Sequence, residues 1–161
     1  DIITDKAPQN FIWIGFIKIF FPNSKIIHCL RSPKDNCLSI FKNQFSSNTM
    51  SWSYDQTLVA NYYNLYLKMM NYWKLKFNDF IFDANYENIV NSTESEVKKM
   101  LLFCDLNWEP ECLNFYQNKK TPVQTASVSQ ASKPIYKSSI NTSSGFSEYL
   151  SEMFKILDTK S

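Results

Sequence analysis

An α/β fold, with a parallel sheet flanked by helices, is what this sequence predicts, and three observations predict it. The run that Lys25 opens, Ile26-Ile27-His28-Cys29-Leu30, is apolar over strand length, the pattern of a central strand buried on both faces. A helix start follows at once, at Ser32-Pro33-Lys34-Asp35. Farther on, the short strand Phe80-Ile81-Phe82 falls between two helical patterns, and such alternation points to parallel α/β architecture. Two strands alone make no stable sheet. Further strands are expected from a segment before Asp1, or from pairing that the pattern does not reveal.

In chain order, residues 11–20 read as a short helix, because Phe11, Ile14, Ile17 or Lys18, and Phe21 recur at helical spacing. Phe21-Pro22-Asn23 is a turn. After the strand of 25–30, Ser32 is placed to cap a helix, Pro33 takes its first position, and Asp35 completes a capping-box-like pattern. Cys37, Leu38, Phe41 and Phe45 give that helix an apolar face, with Asp35, Ser39, Lys42 and Asn43 on another. Residues 46–53 are a polar loop. A long helix over 55–76 carries the stripe Leu58, Tyr62, Leu65, Tyr66, Met69, Trp73 and Phe77. Residues 79–86 hold the second strand. A helix over 93–104 turns Val97, Met100, Leu101 and Cys104 inward, and Leu106-Asn107-Trp108-Glu109-Pro110 ends it. Residues 117–145 are rich in Ser, Thr, Lys and Asn and read as loop, and 146–157 as a last amphipathic helix.

Composition narrows the function. The chain has 161 residues, 44% hydrophobic and 20% charged, which suits one globular domain and argues against disorder. Net charge is +2 without a dense basic stripe, too little to argue for nucleic acid. The 4 cysteines form no C-x-x-C pair and the only histidine is His28, so a zinc site is not expected; reduced, mostly buried thiols are. Residues 11–21 are apolar but too short to span a membrane, and they lack the marks of a signal peptide. With only 2 glycines, Gly15 and Gly145, the chain cannot build a glycine-rich phosphate loop.

The most informative stretch runs from Ile26 to Ser39. Arg31 leaves the C-terminal end of a buried strand, the edge at which open α/β sheets bind ligands. The helix after it points its N-terminus at the same crevice, and Ser39 adds a hydroxyl farther along. Arginine, hydroxyl and helix dipole together suit a phosphate monoester. The same residues also read as a strand-end arginine paired with a carboxylate and a serine that solvates a helix.

Strand, Arg31, then a helix carrying Ser39 resembles the 3′-phosphate-binding motif of sulfotransferases that use 3′-phosphoadenosine 5′-phosphosulfate (PAPS). The surrounding text is similar to the tyrosylprotein-sulfotransferase-like branch, in which tetratricopeptide repeats often precede the domain. Further matches lie in register: Asp5-Lys6-Ala7-Pro8, Phe21-Pro22-Asn23-Ser24-Lys25, Asn85-Tyr86-Glu87-Asn88, Leu102-Phe103-Cys104-Asp105-Leu106-Asn107-Trp108, and Thr125-Ala126-Ser127 with Gln130 and Lys133-Pro134-Ile135-Tyr136. The resemblance implies a P-loop-NTPase-like fold and transfer of a sulfuryl group to a hydroxyl on a carbohydrate, a peptide tyrosine or a small molecule, with no metal. It implies that Arg31 and Ser39 hold the 3′-phosphate, that Lys6 neutralises the departing oxygen, that Tyr86 lies near the nucleotide, and that Ser127 and Lys133 sit on a loop closing over the donor. Lys6 also reads as a solvated lysine, Tyr86 as a core aromatic, and the loop as merely polar.

The family's Gly-x-Pro-Arg-Ser-Gly-Thr-Thr type of loop, which holds the 5′-phosphosulfate, is absent from this sequence, and the usual catalytic base also lies upstream of the matched motifs. Residues 1–161 therefore read as the C-terminal part of a single sulfotransferase domain that lacks its first strand and this loop. Members often carry an arginine where Ser132 or Lys133 stands. A cytoplasmic enzyme is expected, or one of the Golgi lumen in a eukaryote. The rivals are a non-catalytic interaction domain and another nucleotide-dependent transferase on the same scaffold.

Overall fold

The computed structural model describes residues 2–45, 48–117 and 133–159. The chain divides into two compact units, one of residues 1–26, 32–81 and 141–161, the other of residues 27–31 and 82–140.

The first unit is helical. Pro8, fit for a helix start because it has no N–H to leave unpaired, opens a 3₁₀ turn, Pro8–Ile12. Helix α1, Ile14–Phe20, follows. The helix expected over 11–20 is thus split, because Trp13 (φ −101°, ψ 3°) leaves the α region between the two pieces. Helix α2 is Pro33–Lys42, α3 is Gln56–Lys76, and Ser151–Asp158 forms a short helix near the C-terminus. Asp55 caps α3 by accepting the Leu58 N–H at 2.9 Å. The last helix is shorter than the 146–157 expected from the sequence, since Thr142–Phe146 is a 3₁₀ turn instead.

Two apolar clusters hold this unit. Cys37 and Leu38 of α2, Val59, Ala60 and Tyr63 of α3, and Leu150, Met153, Phe154 and Leu157 near the C-terminus form one. Phe11, Ile14, Met70, Phe80 and Ile81 form the other, with Trp73 and Tyr66 half-buried against it. Each large side chain so buried contributes about 1.5–3 kcal/mol. α3 serves both clusters, and this corrects its predicted stripe. Leu58 and Leu65 are 51% and 52% exposed, while Val59, Ala60, Tyr63 and Met70 are buried. A helix packed from two sides buries two partial faces, which one 3.6-residue stripe does not describe.

A two-stranded parallel sheet pairs β1, Ile26–Leu30, with β2, Ile81–Asn85, and residues 27–30 and 82–85 of it belong to the second unit. In the chain, α2 and α3 lie between the two strands, the long crossover that parallel neighbours require. Helices α4, Tyr86–Asn91, and α5, Thr93–Phe103, follow β2. Asn85 caps α4 by accepting the Asn88 N–H at 2.9 Å. The Phe103 ring of α5 lies 5.4 Å from that of Phe82. Val97, Met100, Leu101 and Cys104 are half-buried, on the face the periodicity assigns inward.

The expectation that β1 is buried on both faces is corrected: His28 is buried and Cys29 is exposed. Among the described residues the sheet has two strands, so β1 has a strand neighbour on one edge. The thiols are corrected with it. All four are free, but Cys37 is buried, Cys104 and Cys112 are half-buried, and Cys29 is exposed. Among the described residues no helix is long and apolar enough to cross a membrane.

Candidate functional site

The two strands carry matching pairs at their C-terminal ends. In β1, His28 is followed three positions later by Arg31; in β2, Asp83 is followed three positions later by Tyr86. Both pairs meet. The His28 Nδ1–H donates to Asp83 Oδ1 at 2.7 Å, and the Arg31 guanidinium carbon lies 5.2 Å from the Tyr86 ring centroid. A carboxylate only accepts, so Nδ1 carries the proton. His28 is 7% exposed, and a buried imidazole needs such a partner. The pair locks the strand register in which Arg31 reaches the aromatic face, where a planar cation is attracted by the ring quadrupole.

Arg31 also donates from Nη2 to the Ser139 carbonyl at 2.6 Å, a contact across 108 positions of the chain. Lys133 is exposed and Ser139 half-buried. Tyr86 is half-buried as the first residue of α4. Of the residues expected around the donor nucleotide, the structure joins Arg31 and Tyr86 within the second unit. Ser127 lies outside the described residues.

Lys6 and Ser39 belong to the first unit. Lys6 is exposed on the extended stretch before Pro8, where Asp5 accepts from Asn10 Nδ2 at 2.6 Å and steadies the approach to the 3₁₀ turn. Ser39 is half-buried midway along α2, and its carbonyl accepts from Asn43 Nδ2 at 2.8 Å. The Ser32 side chain at the start of α2 makes no cap hydrogen bond.

Asp35 corrects the sequence reading most. It was expected on a polar face of α2 as part of a capping pattern, yet it is 1% exposed. Its Oδ2 accepts the Asn141 N–H at 2.6 Å, and its Oδ1 accepts the Ser143 N–H at 2.8 Å and the Thr142 hydroxyl at 3.4 Å. Contacts across more than 100 positions leave no local signal. His28 did leave one: a lone histidine inside an apolar strand must find a partner, and Asp83 interrupts the other apolar strand. Among the described residues no three metal-ligating side chains lie together.

Residues 1–110 match the family model described as the sulfotransferase family. The chain belongs to the sulfotransferase family. The matched residues include Lys6, the β1–Arg31–α2 stretch with Ser39, and Tyr86. A longer relative is an uncharacterized protein of Aquifex aeolicus (strain VF5), 33% identical over 157 residues. That alignment takes in 96% of this sulfotransferase chain but 20% of the relative, so the chain spans about a fifth of the relative's length.

Proposed function

We propose that this chain supplies the 3′-phosphate-binding part of an enzyme that moves a sulfuryl group from PAPS to an acceptor hydroxyl. The observation that carries the reading is Arg31 at the C-terminal end of β1, in contact with Tyr86, in a chain of the sulfotransferase family. A guanidinium presents paired donors to phosphate oxygens, and a ring beneath it keeps that fork in one orientation. Ser39, on the helix that Arg31 leads into, adds a hydroxyl donor to the same phosphate.

In the reaction the bond between sulfur and the phosphate-bridging oxygen breaks as sulfur bonds to the acceptor oxygen, leaving 3′-phosphoadenosine 5′-phosphate (PAP). Negative charge builds on the departing oxygen, and Lys6 is the cation we assign to it, an interaction strongest in the transition state. The acceptor proton leaves to a base that we do not assign to this chain. We assign Lys133 to a segment over the donor phosphates, and the whole to a P-loop-like α/β domain.

The test is calorimetric titration with PAP and with adenosine 5′-phosphosulfate, which lacks the 3′-phosphate. A charge-assisted contact is worth about 1.5–3 kcal/mol, so Arg31→Ala should weaken PAP binding roughly 10- to 150-fold. Adenosine 5′-phosphosulfate should be nearly indifferent to the change. Equal losses for both ligands would remove Arg31 from the 3′-phosphate, and no PAP binding by the unaltered chain would overturn the reading itself.

A further inference from the structure

We propose that His28 and Asp83 are positioning residues for donor binding: their cross-strand pair fixes the register that sets Arg31 against Tyr86, and so governs how well Arg31 meets the 3′-phosphate. The inference rests on the proposed function.

All four residues belong to the second unit. His28 meets Asp83 across 55 positions of the chain. Arg31 and Tyr86 each stand three positions farther on, so they share that offset. One register therefore makes both contacts. Each strand has five residues, and among the described residues the sheet has two strands, so pairing needs support from side chains. Apolar packing resists a slip of one residue, which would exchange the faces, but a slip of two keeps them. Hydrophobic contact is non-directional and does not oppose that second slip strongly. The hydrogen bond from His28 Nδ1 to Asp83 Oδ1, at 2.7 Å, is met in one register only. At 7% exposure the imidazole cannot turn to water, so losing the Asp83 acceptor would carry the desolvation cost of a buried donor.

Arg31 is the group that depends on this pin. A guanidinium binds phosphate through donors fixed in one plane, so the orientation of that plane decides what it can hold. The Tyr86 ring, 5.2 Å away, lies against it, and the Ser139 carbonyl, also in the second unit, takes an Nη2 hydrogen at 2.6 Å. Tyr86 opens α4 directly after β2, so the ring travels with that strand. A slip of two residues would carry Arg31 about 6–7 Å along β2 and away from the ring. His28 and Asp83 need touch no phosphate; they act through the placement of Arg31.

His28 is the only histidine in the chain, so its ring signals in ¹⁵N–¹H spectra are unambiguous. Coupling is reciprocal: the factor by which the pair strengthens PAP binding is the factor by which PAP suppresses opening of the pair. In the unaltered chain, saturating PAP should slow exchange of the Nδ1 proton about 10-fold, and adenosine 5′-phosphosulfate should not. That measurement needs no variant, so it stands even if a substitution fails to fold. His28→Val removes the donor and should raise the Kd for PAP about 10-fold while leaving that for adenosine 5′-phosphosulfate within about twofold. A merely structural loss would weaken both ligands alike. His28→Asn keeps an N–H donor for Asp83 and should recover most of the PAP affinity. In an Arg31→Ala background, His28→Val should cost nothing more, because its effect runs through Arg31. Absence of PAP binding by the unaltered chain, or equal losses of the two ligands in Arg31→Ala, would refute the functional reading and this inference together. If that reading stands, an unchanged Kd or equal losses in His28→Val, no recovery in His28→Asn, an additive loss in the double variant, or an Nδ1 proton indifferent to PAP overturns the role of the pair alone.

Discussion

Burial pushes the pKa of the Cys37 thiol from its ordinary 9.0 up to about 12, which ties the stability of the fold to alkaline pH. Above pH 9.0 the thiol of the unfolded chain ionises while the buried one stays protonated, so the folded state holds the extra proton. Cys37 therefore contributes fully below 9.0, loses its contribution as pH rises toward about 12, and changes nothing further beyond. Urea midpoints measured at pH 8, 10 and 11 should fall more steeply for the unaltered chain than for Cys37→Ala, and parallel slopes would remove Cys37 as the cause. Cys29 is exposed although its partly buried setting raises its pKa, so in the folded protein it should react with a disulfide reagent slowly but faster than the buried Cys37. Residues differ in how far the sequence gives them away. Arg31 was legible because strand end and helix start are local patterns. Its aromatic neighbour Tyr86 was legible as a motif position but not as a contact, and the Asp35 anchor was not legible, since its partners lie more than 100 positions along the chain.

At the scale of elements, α1 and α3 meet where Gly15 faces Trp73. A Cβ on Gly15 would lie 2.8 Å from Trp73 Cη2 and 3.2 Å from Cζ3. The indole cannot easily retreat. Its Nε1–H donates to the Phe11 carbonyl at 2.8 Å, and its ring stacks on Phe77 at 5.7 Å. Alanine would gain about 1 kcal/mol of helix propensity over glycine, whereas overpacking costs about 1–3 kcal/mol. Gly15→Ala should therefore be destabilising by up to about 2 kcal/mol in urea denaturation. Pairing it with Trp73→Phe, which removes the clashing ring, should recover part of that loss. A stabilised Gly15→Ala would mean the two helices do not approach as described. Periodicity located α2, α3 and α5 well because each keeps one dominant repeat or a clear cap. It misplaced the buried face of α3, where two clusters compete, and it merged a 3₁₀ turn with α1, because both share the spacing of Phe11 and Ile14.

For the whole molecule, α/β architecture was legible from strand–helix alternation, while the division into two units was not, because residues 27–31 join 82–140 through pairing that no short window contains. Holding a 5′-phosphosulfate calls for a cradle of backbone N–H groups, usually shaped by glycines in conformations that side chains disfavour. Gly15 lies inside α1 beneath Trp73, Gly145 lies in the 3₁₀ turn Thr142–Phe146, and neither has positive φ. Both glycines are committed to helical turns away from any strand-to-helix loop. The 161 residues alone should thus retain PAP affinity through Arg31, yet fail to align sulfur with an acceptor, and alignment supplies much of the rate in such transfers. The check is one preparation assayed twice: calorimetry with PAP, then transfer of ³⁵S from labelled PAPS to a panel of sugars and tyrosine peptides. Binding without label transfer is the expected outcome. Transfer that disappears in Arg31→Ala would show that these residues contain a complete phosphosulfate site, built without a glycine loop.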